Sequence, residues 1–147
     1  MNTATAPVLP TLDTLRNKMI EFRHGLPGFP TSRHFLMAQE PEERPFAWLQ
    51  SIDEPRVKFA VVDAYAWDGD FTLEVDDDVL EELGSLDPLD FAVYFILLIQ
   101  KRKGGTTTMQ AKPNAPLLVN VRNRQARQVI VPSPATLVKA EALCLQL

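Results

Sequence analysis

Residues able to do chemistry are few in this chain of 147 residues. Its two histidines, His24 and His34, are not set in a His-Glu-x-x-His frame, and no Cys-x-x-Cys, Gly-x-Ser-x-Gly or Gly-Lys-Ser/Thr run occurs. Asp76, Asp77 and Asp78 offer oxygen ligands. Adjacent carboxylates at a helix start do not converge on one cation, however, and their spacing is not that of a calcium loop. Helix capping accounts for them better. Cys144 lies in an apolar stretch without a neighbouring histidine, so an inert thiol is expected rather than a nucleophile. The expectation is a protein that is not an enzyme and has no catalytic residues, cofactor or metal ligands.

Two short segments carry a different chemistry. Gly25-Leu26-Pro27-Gly28-Phe29 and Pro45-Phe46-Ala47-Trp48-Leu49-Gln50-Ser51 place apolar and aromatic side chains next to tight turns. Pro27-Gly28 is the pair expected in a type II turn, where glycine supplies the positive φ. A preformed loop bearing aromatic anchors loses little entropy on docking, which suits protein recognition. Leu26, Pro27, Phe29, Phe46 and Trp48 are therefore candidates for an apolar binding rim. The alternative is structural: Leu26, Phe29 and Trp48 fold into the core.

Short β-like runs separated by turns position these segments. Expected strands are 18–23, 35–39, 47–51, 57–63, 71–75, 91–100, 106–112, 117–121 and 128–131. Met19–Arg23 and Phe71–Val75 alternate apolar and polar residues, as half-buried strands do. Phe91–Ile99 is continuously apolar and rich in strand-forming residues, as befits a central strand buried on both faces. One short internal helix is expected over 77–83, capped by Asp76 and ended by Gly84. Ser133 and Pro134 are suited to open a C-terminal helix. The fold class is thus mostly β: a small barrel-like single domain, with residues 1–17 a flexible tail, 18–132 the barrel and 133–147 a helical extension. Closing such a sheet removes its free edges.

Composition agrees with a globular domain: 46% hydrophobic and 23% charged residues. A lone cysteine cannot form an internal disulfide, and residues 1–17 lack the pattern of a secretory leader, so a cytoplasmic location is expected. The longest apolar run, Phe91–Ile99, is far short of the ~20 residues that span a membrane. Net charge is −4, but the charges are segregated. Residues 40–87 hold fifteen acids against three bases, and residues 99–147 hold eight bases against one acid. An acidic face would steer a basic partner. The alternative is two solvated faces that partly neutralise each other. The basic turns at Lys101-Arg102-Lys103 and Arg122-Asn123-Arg124 raise a second possibility, single-stranded nucleic acid bound at hairpin tips. No aromatic residue lies between Lys101 and Leu147, and the pI of about 5.1 runs against that reading.

In order along the chain, Ile20-x-Phe22-x-x-Gly25-Leu26-Pro27-Gly28-Phe29, Pro45-Phe46-x-Trp48-Leu49-Gln50-Ser51-x-Asp53-x-Pro55 and Phe59-x-Val61-x-Asp63 are followed by Leu80-Glu81-Glu82-Leu83-Gly84. An apolar strand follows, then Ala115-Pro116-Leu117-x-Val119-Asn120 and Arg127-Gln128-Val129-Ile130. This sequence of motifs resembles the FliW family of bacterial flagellar assembly factors. It departs from the family pattern at Lys112-Pro113, where Asn-Leu is usual, at Asp70-Phe71, where Asp-Tyr is usual, and in the tail over 137–147. The resemblance implies a small β-barrel-like protein without catalysis. Its implied partners are the translational regulator CsrA, whose repression of flagellin synthesis it would relieve, and flagellin, which would compete. On that footing Asp76, Asp77, Asp78, Glu81 and Glu82 are candidates for the face that meets CsrA, and the apolar rim for the one that meets flagellin.

Overall fold

The computed structural model describes residues 19–39, 41–131 and 138–139. Among these described residues nine strands form one sheet: β1 (Met19–Phe22), β2 (His34–Ala38), β3 (Phe46–Ser51), β4 (Lys58–Asp63), β5 (Phe91–Lys101), β6 (Thr107–Ala111), β7 (Leu117–Asn120), β8 (Gln125–Gln128) and β9 (Val138–Lys139). Their order is β4-β3-β2-β1-β8-β7-β5-β6-β9, and β4 also pairs with β5. That last pairing closes seven strands, β1 to β5 with β7 and β8, into a barrel. Neighbours are antiparallel except β1 and β8, where Glu21 and Phe22 run parallel to Gln125 and Ala126. Strand β5 is long enough to serve three partners. Phe91–Tyr94 pairs with β7 and Leu97–Lys101 with β6 along one edge, while Tyr94–Leu97 pairs with β4 along the other.

Alternation along these strands sorts the apolar residues into two clusters, one on each face of the sheet. The barrel interior holds Ile20, Phe22, Phe35, Ala47, Leu49, Val61, Leu117 and Val119. The outer face holds Phe46, Val62, Val93, Phe95, Leu97 and Leu118. Neighbouring residues such as Val61 and Val62, or Leu117 and Leu118, thus serve opposite cores. The continuous apolar run of β5 has the same cause, since Tyr94 and Ile96 pack on the interior cluster and Val93 and Phe95 on the outer one. Beyond the barrel the run loses cover, and Leu98 is exposed.

The outer cluster is roofed by the chain between β4 and β5. Here lie two short helices, α1 (Ala64–Trp67) and α2 (Asp77–Glu82), and a 3-10 turn at Pro88–Asp90. Helix α1 was not legible from periodicity. It is set by Asp63, whose Oδ1 accepts the N–H groups of Tyr65 and Ala66 at 2.9 and 3.1 Å. Asp76 occupies the N-cap of α2 but makes no capping hydrogen bond through its side chain. Asp77 and Asp78 lie in the first turn, where carboxylates complement the helix dipole. At the other end Gly84 adopts φ +94°, as the stop signal requires. The terminal carbonyl of Leu83 accepts hydrogen bonds from Asn120 Nδ2 at 2.7 Å and Asn123 Nδ2 at 3.0 Å.

Three expectations need correction. Residues 71–75 are not a strand: Phe71, Leu73 and Val75 pack on the outer cluster as alternation foretold, but the segment finds no strand partner among the described residues. Alternation reports the buried side of a segment and not whether its edges are paired. The strand expected over 128–131 lies at Gln125–Gln128, where the register with β7 places it. In the region read as a C-terminal helix, Val138–Lys139 pairs with Gln110 and Met109 of β6. The rest of that helix, Cys144 and the tail over 1–17 lie outside the described residues. Truncation at the centre of the interior cluster should show its weight. Phe35 is fully buried, with Phe22 edge-on at a centroid distance of 5.4 Å. Phe35→Ala should lower the unfolding free energy by about 3–5 kcal/mol in denaturant titration.

Candidate protein-binding surface

The first candidate element is the loop between β1 and β2. Gly25 and Gly28 have φ of +67° and +85°. Leu26 and Phe29 close the turn between them, Phe29 N–H donating to the Leu26 carbonyl at 2.7 Å. A Cβ at Gly25 would lie 2.8 Å from the Pro30 backbone, so position 25 has no room for a side chain. The β3–β4 turn holds this loop in place. Asp53 Oδ2 accepts the backbone N–H groups of Arg33 and His34, each at 2.8 Å. Glu54 accepts the hydroxyls of Thr31 and Ser32, and buried Ser51 donates to Ser32 at 3.2 Å. Partial desolvation pushes the Asp53 carboxyl upward, but the two backbone donors and His34 outweigh it and hold it below its ordinary value. The hydroxyls of Thr31 and Ser32 lower Glu54 likewise.

The five residues expected to form one apolar rim are divided by this geometry. Leu26 is 3% exposed and belongs to the interior cluster, and Phe46 is buried in the outer cluster. Pro27 and Phe29 stand exposed at the loop tip, with the Phe29 ring edge-on to Phe59 at 5.4 Å. Trp48 is half-buried on the same strand face as Phe46, with Lys58 Nζ 4.3 Å from its ring centroid. Residue type identified the apolar members; packing decided which of them reach solvent, since Leu26 turns into the interior cluster and Phe46 lies within the outer one.

The second candidate element is α2. Asp76, Asp77, Asp78 and Glu81 are exposed, and Glu74 lies exposed just before them. Glu82 departs from the expected group. Its carboxylate meets His24 Nε2 and Arg127 Nη1, both at 2.6 Å, tying the helix to the end of β1 and to β8. These two bonds, His24 first, hold Glu82 below its ordinary value despite partial burial. Arg122 faces Asp90 at 3.7 Å. Some of the segregated charges therefore meet across the fold, while the outward carboxylates of α2 and the exposed Lys101, Arg102 and Lys103 tip remain in water. Among the described residues no three His, Cys, Asp or Glu side chains converge as a metal site, and no helix is long and apolar enough to cross a membrane.

Two grooves flank the extended segment before α2, and sequence reasoning missed both. One, of about 320 Å³, is lined by Tyr65, Leu73, Leu80, Pro88 and Phe91. The other, of about 380 Å³, lies between residues 74–76 and 127–131. The signal that could have found them is the alternation of residues 71–75 in a segment that has no strand partner among the described residues. The arrangement as a whole offers shaped apolar surface and fixed carboxylates, which suits it to bind polypeptide.

The model of the family described as FliW protein matches residues 5–142. The flagellar assembly factor FliW of Caldanaerobacter subterraneus subsp. tengcongensis is 33% identical over 122 residues, covering 82% of this chain and 79% of that one. The protein of the same description from Magnetococcus marinus is 32% identical, covering 82% of this chain and 73% of its own. A crystal structure of the flagellar assembly factor FliW superposes with a TM-score of 0.75 at 25% identity, over 95% of this chain and 93% of that one.

The tie at Glu82 predicts a pH dependence. The bonds favour the ionised form only in the folded chain. Their contribution is complete above the ordinary value of 4.5 and is withdrawn as pH falls through the lower folded-state value. Unfolding free energy should therefore decline below about pH 4.5, and Glu82→Gln should make that decline shallower in denaturant titrations run across the acid range.

Proposed function

The chain belongs to the FliW family of flagellar assembly factors, and from that premise we propose that it works in the cytoplasm by binding two proteins, CsrA and flagellin. The observation that carries the reading is the set of outward carboxylates on α2, held in a fixed frame. Asp76, Asp77, Asp78 and Glu81 present four negative charges to solvent, while Glu82 anchors the helix that bears them. An RNA-binding regulator carries basic surface, and a carboxylate cluster attracts that surface as it repels RNA. Occupying CsrA would lift its repression of flagellin synthesis. The loop tip of Pro27 and Phe29 supplies apolar contact for flagellin. Competition between the two partners would then couple the free flagellin level to flagellin translation.

Titration calorimetry against CsrA, with and without flagellin already bound, tests this directly. Tight binding that flagellin abolishes is expected; no heat with either partner would overturn the assignment. Asp77→Lys combined with Glu81→Lys should slow association with CsrA by about tenfold at low salt and flatten its salt dependence. Unchanged kinetics in stopped flow would place the contact elsewhere. Phe29→Ala should weaken flagellin binding by about 1–3 kcal/mol, the cost of truncating an aromatic anchor, and leave CsrA binding as it was.

A further inference from the structure

The groove between residues 74–76 and 127–131 has unusual walls. All five consecutive residues from Arg127 to Val131 line it, as do Glu74, Val75 and Asp76. A groove over one face of a strand would be lined by alternate residues. Consecutive lining residues place the backbone edge itself on the wall. The hydrogen bonds agree. Val129 and Val131 donate their N–H groups to the carbonyls of Pro116 and Asn114, both at 2.9 Å. By strand alternation Gln128 and Ile130 direct their backbone groups to the opposite side. There β1 covers only Gln125 and Ala126, and among the described residues nothing pairs with Gln128 or Ile130 on that side. Across the groove, Leu73, Glu74 and Val75 belong to no helix or strand and likewise make no backbone hydrogen bond among the described residues.

The geometry points to strand addition: an extended segment of a partner protein enters this groove and pairs with the edge at Gln128 and Ile130. The groove also dictates the character of that segment. Its floor includes Val75, Val79 and Val129, which call for apolar residues at alternate positions. Its lip carries Glu74 and Asp76, both exposed, whereas Arg127, the one cation among the described residues of its wall, is committed to Glu82. The remaining alternate positions are therefore Lys or Arg. An exposed strand edge is ordinarily covered or blunted; here carboxylates on the facing lip select what may cover it. The assignment does not depend on the partners proposed above, because the probe contains neither protein.

The probe is a capped hexapeptide, Lys-Val-Arg-Val-Lys-Val, titrated into the full chain by fluorescence anisotropy, with hydrogen exchange followed at Gln128 and Ile130. Saturable binding with slowed exchange at those two amides is expected. Methylating the backbone nitrogens that face the edge should weaken binding by about tenfold or more, through loss of one or two main-chain hydrogen bonds. Glu74→Lys with Asp76→Lys should weaken the unmodified peptide to a similar degree, since both positions are exposed. Equal binding of the methylated peptide, equal binding of the acidic counterpart Glu-Val-Asp-Val-Glu-Val, or no binding at all would overturn the proposal. So would a concentration-dependent dimer that protects the same amides and excludes the peptide, which would assign the groove to a second copy of the chain.

Discussion

Pairing between β4 and β5 is the interaction on which the rest of the molecule depends. Without it the sheet is open, and β4 becomes an edge four residues long in its exposed register, from Ala60 to Asp63. With it, the barrel closes and the two faces of the sheet become different environments. One faces a sealed interior packed by Phe22, Phe35 and Leu49. The other needs a roof, which the chain from Ala64 to Asp90 supplies. Both helices, both grooves and the outward carboxylates belong to this roof or to its margin. The binding surface follows from how the outer core is covered.

Polar ties then convert covering segments into fixed ones. A six-residue helix has little intrinsic stability in water. Helix α2 persists because Glu82 bonds to His24 and Arg127 on one side and the Leu83 carbonyl is met by Asn120 and Asn123 on the other. The β1–β2 loop is treated in the same way by Asp53 and Glu54. In each case one carboxylate accepts two or more donors, which favours its ionised form and lowers its proton affinity. The acids that look alike in the sequence are thus of two kinds. Glu82, Asp53 and Glu54 hold backbone in place; Asp76, Asp77, Asp78 and Glu81 face outward.

Much of the barrel was legible in the residues. Alternation in Met19–Phe22, the turn pair at Pro27-Gly28 and the stop at Gly84 each report a local constraint that the fold obeys. The family resemblance rested on motifs spread along most of the chain, and the comparisons bear it out. What stayed hidden was set by distant partners. Nothing local distinguishes Glu82 from Glu81, because the difference lies in Arg127, 45 residues away. Leu26 and Phe46 read as surface anchors because apolar residues beside turns serve either role, and only sheet closure decides. Residues 71–75 carry the signature of a strand, but pairing depends on what lies alongside.

Strand β5 carries both cores at once, and this has a consequence for how such a chain can diverge. Its alternate residues feed the interior and the outer cluster, and its two edges hold β4, β6 and β7. Inserting or deleting one residue within it exchanges the two sets of side chains and shifts three registers together. Compensation would require simultaneous changes in three other strands. The hairpin tip beyond it, by contrast, makes no demand on either core. Length variation should therefore gather at that tip and vanish within the strand, so that β5 acts as the fixed ruler against which relatives of this chain are measured.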